Sequence, residues 1–306
     1  ICSYCDFCKQ FYNKGYVEKY LKALREEIED RYNDEILSTI YIGGGTPTIL
    51  DEAQLEDLLA FVSSQTDVSA LEEFTLEAGR PDTITYEKLA IAKRYGVTRI
   101  SVNPQSLCDK LLESIGRNHT SEEFFRAFAD ARKAGIKTVN VDLIAGLPGD
   151  DFKTFTYTFD EILKLRPENI TVHTFCVKKS ADLLRRNENV YSMRGGYVGK
   201  CIDYSQIRSE AAGYVPYYMY RQKNTVGNFE NVGFALPGYE GLYNIYIMEE
   251  LHSILSMGAG GSTKMVDAKR GRIERVFHAK FPTEYIQRPE KILENQRAFR
   301  QFYQSK

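Results

Sequence analysis

Three cysteines crowd the first residues of the chain, which reads ICSYCDFCKQF from residue 1. Cys2, Cys5 and Cys8 are each separated from the next by two residues. Clustered thiolates suit zinc or an iron–sulfur cluster. The four-cysteine ferredoxin spacing would need a cysteine at Tyr12, and a structural zinc would need a second CxxC or a histidine pair, which the sequence lacks. The pattern favours a metal site over free buried thiols.

Residues suited to ligand binding also follow five apolar runs of the sequence. They are the glycine-rich GGGTPT (43–48), Glu77, Gln105, Asp142 and His173. Successive glycines let a backbone approach a ligand, and their amides bind carboxylate or phosphate. Alone, the glycines are also compatible with a tight turn, and each polar residue with a structural role. Because all five occupy equivalent positions, we expect them to converge on one cavity.

The elements that would position these residues alternate along the chain. β-branched runs and amphipathic stretches recur about every thirty residues, the size of a βα unit. The predicted helices cover 17–31, 51–65, 85–96, 121–135 and 151–166, and the predicted strands 38–44, 73–79, 99–105, 138–146 and 169–175. Asp51 is the predicted N-cap of the second helix. This alternation predicts a parallel sheet with helices outside it and a site at the carboxyl ends of the strands.

Length and composition limit the classes of protein that fit. The chain has 306 residues, 43% of them hydrophobic, which is enough for a large core. No apolar run of eighteen residues and no signal peptide is visible, so we expect a cytoplasmic protein without a membrane span. A net charge of −2 argues against a general nucleic-acid surface. Cys108, Cys176 and Cys201 are scattered, which favours a reducing compartment over disulfides.

Many motifs in order carry a resemblance that covers nearly the whole chain. CSYCDF, YIGGGTPT, FTLEAGRPDT, RISVNPQS, IGRNHT, VDLIAGLPG and NITVHTF resemble the radical S-adenosylmethionine (SAM) enzymes of the oxygen-independent coproporphyrinogen III dehydrogenase family. The later MYRQKNTVGNFENVGFALPG, GLYNIYIMEE and MGAGGSTK are similar to its HemZ branch. The resemblance implies a partial (β/α)6 TIM-like barrel over residues 1–190 and a smaller C-terminal α+β cap over 191–306. The apolar Ile1 is a poor natural start, and we expect a first strand and a first cluster cysteine upstream of it.

The same resemblance assigns roles to individual residues. Cys2 and Cys5 match the second and third cysteines of CxxxCxxC, which bind a [4Fe-4S] cluster, and Cys8 is left without a role. The residues that it places around SAM, the second cofactor, are Tyr4 beside the adenine; Gly43, Gly44 and Gly45 at the methionine amino group; Glu77 facing that group; Arg117 at the carboxylate; Gln105 and Asp142 at the ribose; and Ile144 and Cys176 near the adenine. His173 would also lie near the adenine but is not assigned as a ligand.

The implied reaction is an oxidative decarboxylation in porphyrin and heme biosynthesis. An electron donor such as a flavodoxin or ferredoxin reduces the cluster, SAM is cleaved to a 5′-deoxyadenosyl radical, and two propionates of coproporphyrinogen III become vinyl groups in turn. The substrate's four carboxylates need cations, for which the sequence offers Arg80, Lys178, Lys179, Arg221 and Lys223. The many tyrosines near residue 218 could pack a core or face the flat tetrapyrrole.

Two other functions stay open. The first is a heme-binding chaperone on the same fold. The related heme chaperones carry an HNxxYW segment, for which this chain has Tyr243, Ile247 and Met248 at the histidine, tyrosine and tryptophan positions, and these differences favour the enzyme. The second is a fragment without a cluster, if the chain begins at Ile1.

Overall fold

A seven-stranded sheet forms the centre of the computed structural model, which describes residues 13–31, 36–176 and 196–304. Its strands are β1 (Thr39–Ile42), β2 (Glu73–Glu77), β3 (Arg99–Ser101), β4 (Thr138–Ala145), β5 (Asn169–Thr174), β6 (Val215–Tyr220) and β7 (Asn231–Ala235). The order is β1-β2-β3-β4-β5-β7-β6. The first five strands are parallel, and β7 and β6 continue the sheet antiparallel. The sheet curls into a half-barrel, as the resemblance predicted.

Helices connect and cover the strands. They are α1 (Lys14–Arg31), α2 (Glu52–Gln65), α3 (Tyr86–Arg94), α4 (Asp109–Ser114), α5 (Ser121–Lys133), α6 (Phe152–Leu165), α7 (Gly196–Ala211), α8 (Leu242–Glu249), α9 (Pro282–Gln287) and α10 (Pro289–Gln304). A separate hairpin pairs β8 (Ser262–Asp267) with β9 (Arg272–Phe277). The predicted βα alternation is therefore confirmed. The domain boundary predicted at residue 190 stays a prediction, and β6 and β7, which follow it, belong to the barrel sheet.

The strands are polar on one face and apolar on the other. Phe74, Leu76, Val139 and Val141 are fully buried in the core beneath the helices. Glu73, Thr75 and Glu77 alternate with them along β2, as do Asn140 and Asp142 along β4, and so face the concave inner side. Parallel strands are usually apolar on both faces. A polar inner wall is what a barrel that holds a polar ligand requires.

None of the helices among the described residues combines the length and the hydrophobicity that a bilayer span requires.

The predicted cap of α2 is present as a reciprocal capping box. The Gln54 N–H donates to Asp51 Oδ1 at 2.9 Å, and the Asp51 N–H donates to Gln54 Oε1 at 3.3 Å. We expect Asp51→Ala to lower the free energy of unfolding by about 1 kcal/mol, because an orphan amide of the first turn loses its acceptor. Asp51→Asn retains an acceptor and should remain close to the parent. Equal unfolding midpoints of Asp51→Ala and Asp51→Asn in urea would contradict the assignment.

A buried carboxylate joins the C-terminal part of the chain to α1. Glu27 accepts hydrogen bonds from His278 Nε2 at 2.5 Å, from the Tyr285 hydroxyl at 2.6 Å and from the Gly258 N–H at 2.8 Å. The Glu27 side chain is fully buried, and that of His278 is 1% exposed. Burial acts to raise the pKa of Glu27, but the hydrogen bonds, led by that of His278, hold it below the ordinary value.

The glycine-rich segment MGAGGSTK provides part of this junction. Its amides are used within the protein: Gly258 binds Glu27, Ala259 binds the Tyr20 hydroxyl at 3.2 Å, and Gly260 binds the Ala279 carbonyl at 2.8 Å. The segment therefore joins α1 to the C-terminal hairpin and does not expose a row of free amides as a phosphate loop does.

Candidate functional site

The residues predicted at the strand ends lie at one edge of the half-barrel. Gly43 follows the last residue of β1, and Glu77 is the last residue of β2. The Gln105 N–H donates to the Asp142 carbonyl at 3.1 Å, which places the segment after β3 beside β4. Because β1 to β4 are neighbouring parallel strands, these positions meet at the same edge, as the sequence predicts.

The glycine turn and Glu77 are in direct contact. The Gly44 N–H donates to Glu77 Oε2 at 3.0 Å. Gly44 has φ of +96°, in the left-handed region that favours glycine. A Cβ on residue 43 would overlap the ring of Tyr41 and lie 2.5 Å from Glu77 Oε2, whereas a Cβ on Gly44 or Gly45 would meet nothing within 4 Å. The turn is therefore tightly packed beneath Gly43 and open in front of the two later glycines.

This difference predicts unequal effects of added methyl groups. We expect Gly43→Ala to lower the free energy of unfolding by about 1–3 kcal/mol, because the Tyr41 ring and the Glu77 carboxylate must both move. Gly45→Ala should leave stability nearly unchanged, because its methyl group enters open space. Denaturant unfolding of the two variants measures the difference, and equal stabilities would show that Gly43 is not confined as described.

Burial dominates the electrostatics of Glu77. It raises the pKa of this carboxyl to about 7, and the Gly44 N–H and the charge of Arg117 oppose the rise only partly. Asp142 raises it further. Near neutral pH a cation placed beside Glu77 would therefore shift the carboxyl toward its ionised form, which suits it to receive an ammonium group.

Asp142 is held by several side chains of the inner wall. Asn140 Nδ2 donates to Oδ1 at 2.7 Å, Asn103 Nδ2 donates to Oδ2 at 2.9 Å, and His173 Nε2 lies 3.6 Å from Oδ2. Burial acts to raise the pKa of Asp142, but the contacts with His173 and Asn140 hold it below its ordinary value. Asp142 is thus an anion within a hydrogen-bonded network, and His173, which the sequence left without a ligand role, belongs to that network.

Gln105 carries two features that are unusual for a loop residue. Its φ is +66°, and its side chain is 6% exposed. Its Oε1 is buried without a hydrogen-bond partner within the described ranges. Most buried acceptors are paired, so this oxygen is available to a ligand hydroxyl. The Ile144 N–H donates to the Gln105 carbonyl at 3.1 Å, which fixes the backbone beside it.

Two of the residues predicted near the adenine, Ile144 and Cys176, are buried, and Arg117 is close to Glu77. Ile144 is 7% exposed and Cys176 is 9% exposed, with the Cys176 Sγ–H donating to the Lys223 carbonyl at 3.0 Å. Arg117 Nη1 donates to the Gly79 carbonyl at 3.0 Å, two residues beyond Glu77. Their contacts with SAM stay predictions.

A buried histidine supports the loop that carries Gln105. His119 Nε2 lies 3.2 Å from the Pro104 carbonyl. Burial and the neighbouring Arg117 lower the pKa of His119 to about 4, so the ring is neutral at physiological pH and donates this hydrogen bond from Nε2. His119 belongs to the quoted IGRNHT, but its spacing alone did not identify this contact.

Some predicted residues lie outside the described ranges: Cys2, Tyr4, Cys5, Cys8, Lys178 and Lys179. Two of the remaining predicted cations are paired within the protein. Arg80 Nη2 donates to Asp82 Oδ2 at 2.5 Å, and Arg221 forms an ion pair with Glu230.

Tyrosines line much of the inner wall of the half-barrel. The sequence alone does not decide between this position and the core. The ring of Tyr41 stacks on that of Tyr243 with centroids 4.3 Å apart. The hydroxyl of Tyr218 lies 3.3 Å from that of Thr171, and the hydroxyl of Tyr220 lies 3.4 Å from His173 Nδ1. The sequence shows that tyrosines are frequent near residue 218, but not which neighbours they contact.

Comparisons with known proteins identify relatives of this chain. Residues 1–162 match the family model of the Radical SAM superfamily. The oxygen-independent coproporphyrinogen-III oxidase-like protein HemZ of Bacillus subtilis is 41% identical over 296 residues, which cover 94% of this chain and 59% of that protein. The heme chaperone HemW of Lactococcus lactis is 30% identical over 280 residues, which cover 91% of this chain and 70% of that protein.

A solved structure shares the fold over most of the chain. The coproporphyrinogen III oxidase HemN of Escherichia coli, described as a radical SAM enzyme, superposes with a TM-score of 0.74 and 21% identity. The match covers 95% of this chain and 66% of that one. At this identity the likeness shows the fold alone. The chain thus spans about three fifths of the HemZ protein and two thirds of HemN.

Proposed function

The chain belongs to the radical SAM superfamily, and we propose that it is an oxygen-independent coproporphyrinogen III dehydrogenase. Membership of the superfamily implies a [4Fe-4S] cluster and SAM as cofactors. The proposed reaction converts two propionates of coproporphyrinogen III to vinyl groups. In each conversion one hydrogen atom passes to the radical derived from SAM, CO₂ leaves, and one electron passes to an external one-electron acceptor. A flavodoxin or ferredoxin is the proposed electron donor.

The described residues fit the amino-acid and ribose parts of SAM. Gly44 and Gly45 border open space, Glu77 is a half-buried carboxylate suited to an ammonium, and Gln105 Oε1 is a buried acceptor without a partner in the described part of the chain. We assign Gly43, Gly44, Gly45 and Glu77 to the amino group, Arg117 to the carboxylate, Gln105 and Asp142 to the ribose, Tyr4, Ile144 and Cys176 to the adenine, and Cys2 and Cys5 to the cluster.

The bound cofactors supply the radical that abstracts hydrogen, and the chain's own residues supply orientation. Glu77 and the turn at Gly44 would hold the methionine end, and Gln105, whose backbone is fixed, would offer its side-chain Oε1 to the ribose. The network around Asp142 makes that wall rigid before the ligand binds, which reduces the entropic cost of ordering it. The tyrosine rings of the inner wall, among them the stacked Tyr41 and Tyr243, would limit the access of water to the site, which protects a radical reaction from side reactions.

The convergence of Gly44, Glu77, Gln105 and Asp142 at one edge of the half-barrel supports the binding of SAM, and the 41% identity to HemZ supports the choice of substrate. The test is to incubate the natural full-length protein, reconstituted anaerobically with iron and sulfide, with SAM, a reductant and coproporphyrinogen III. We expect 5′-deoxyadenosine together with protoporphyrinogen IX, detected after oxidation to the fluorescent porphyrin. Release of 5′-deoxyadenosine without any vinyl product would contradict the proposed substrate. Release of neither product would contradict the proposal that the protein is an enzyme.

A second candidate is a heme chaperone, since heme chaperones are among the relatives. Tyr243, Ile247 and Met248 at the histidine, tyrosine and tryptophan positions of the chaperone segment HNxxYW favour the enzyme. A heme titration followed by absorbance separates the two functions. Stoichiometric heme binding without decarboxylation would support the chaperone.

A further inference from the structure

The segment around Tyr239 and Glu240, which follows the residues that match the superfamily model, crosses the inside of the half-barrel. Arg99 Nη2 donates to the Tyr239 carbonyl at 2.9 Å and to the Glu240 carbonyl at 3.0 Å. Asn169 Nδ2 donates to the Tyr239 carbonyl at 2.8 Å. Arg99 and Asn169 are the first residues of β3 and β5, so the segment is fixed at the amino ends of the strands.

The same anchor holds the start of α8. Glu73, the first residue of β2, accepts the N–H of Leu242 at 3.0 Å and that of Tyr243 at 3.3 Å. Its carboxylate also accepts from Arg99 Nε at 2.9 Å. The Arg99 and Glu73 side chains are 10% and 6% exposed. A carboxylate in this position satisfies amides of the first helical turn and interacts favourably with the helix dipole, so the position of Tyr243 is closely determined.

Tyr243 extends from this anchor to the predicted cofactor site. Its ring lies on that of Tyr41, with centroids 4.3 Å apart and planes inclined by 23°. The Tyr41 ring in turn fills the space that a Cβ of residue 43 would occupy. Burial and the charge of Glu77 raise the pKa of both tyrosines, which places both near that carboxylate. A continuous set of contacts therefore runs from α8 to the Gly43–Gly45 turn.

We propose that Tyr243 is a positioning residue for the amino-acid end of SAM, acting through its stacking on Tyr41. The stacked Tyr243 ring holds the Tyr41 ring in its place beside the backbone of Gly43 and Glu77. Without that ring, Tyr41 can move into the vacated space and the turn loses its support. The inference rests on the part of the proposed function that places the SAM amino group at this turn, and it is independent of the tetrapyrrole.

The test measures SAM affinity directly in the anaerobically reconstituted full-length protein by isothermal titration calorimetry. We expect Tyr243→Leu to weaken SAM binding about three- to tenfold, the scale of one aromatic pair, while Tyr243→Phe, which keeps the ring, binds like the parent. Tyr246→Leu is the matched control: Tyr246 lies on the same helix and packs edge-on against His252, with ring centroids 4.3 Å apart. The Tyr246→Leu variant should bind SAM like the parent. Its melting temperature shows how much stability is lost when any aromatic residue is removed from α8.

A double-mutant cycle distinguishes positioning from general destabilisation. If Tyr243 acts through Tyr41, the double variant Tyr41→Leu/Tyr243→Leu binds SAM no more weakly than Tyr41→Leu alone. Losses that multiply in the double variant, or unchanged affinity in Tyr243→Leu, would overturn the proposal. Calorimetry with SAM needs no tetrapyrrole, so a failure to convert coproporphyrinogen would not affect this result.

Discussion

Replacing Glu27 by leucine lowers the free energy of unfolding by about 3–5 kcal/mol, the effect expected when a buried, hydrogen-bonded charge is removed from its partners. His278, Tyr285 and the Gly258 amide all donate to this carboxylate, and each would lose its hydrogen bond to Glu27 in the buried interior. Because these donors come from three segments beyond residue 257, the loss should separate α1 from the C-terminal part of the chain. Guanidinium unfolding followed by far-ultraviolet circular dichroism measures the effect.

Two variants control for the loss of charge and of helix propensity. Glu27→Gln keeps one acceptor oxygen and should fall between the parent and Glu27→Leu. Glu26→Leu changes the neighbouring residue of α1, whose side chain is 62% exposed, and should have little effect. If Glu26→Leu were as destabilising as Glu27→Leu, the buried cluster would not be the cause.

The same carboxylate should contribute to stability in a pH-dependent way. The pKa of Glu27 is lowered in the folded state, so its contribution is fully present above its unfolded pKa and is lost as the pH falls through the folded pKa. The stability difference between the parent and Glu27→Leu should therefore narrow below about pH 4.5. A constant difference down to pH 3 would show that ionisation of Glu27 contributes nothing.

Local patterns were sufficient to predict the five parallel strands and the helices between them, but not that two antiparallel strands continue the sheet. The strands EFTLE and TVNVDLIA already alternate polar and apolar residues, and the structure places the apolar set under the helices and the polar set inside. Asp51 was recognisable as a cap because capping depends on residues only three apart. The predicted strands were too long at their ends: β1 stops at Ile42 because the turn at Gly44 takes a positive φ.

Contacts between residues far apart in the chain could not be predicted from the sequence. Nothing near Glu27 indicates that His278 will meet it, and nothing near Tyr41 indicates Tyr243, because no local periodicity connects such distant segments. The expectation that Glu77, Gln105 and Asp142 converge followed from the general rule for parallel strands. Their partners Gly44, Ile144 and Asn103 depend on the positions of loop backbone and side chains in three dimensions and became visible only in the structure.

Glu77 offers the sharpest test of how the site receives its cofactor. We expect Glu77→Gln to weaken SAM binding about 10- to 100-fold, because a charge-assisted contact with the ammonium becomes a neutral one. Glu72→Gln is the matched control, since it removes the same charge from an exposed residue just before β2. It should bind SAM like the parent in the same calorimetric measurement.

The raised pKa of Glu77 adds a signature in pH. With a pKa of about 7, the carboxyl is mostly protonated at pH 6 and mostly ionised at pH 8 in the free protein. An ammonium prefers the ionised form, so the affinity of the parent relative to Glu77→Gln should rise up to about tenfold from pH 6 to pH 8, which is the change in the ionised fraction of a group with a pKa of about 7. Taking the ratio of the two proteins removes any titration of SAM itself. If the SAM affinities of parent and variant changed in parallel with pH, the ammonium of SAM would not lie at Glu77. The glycine turn would then have a structural role only.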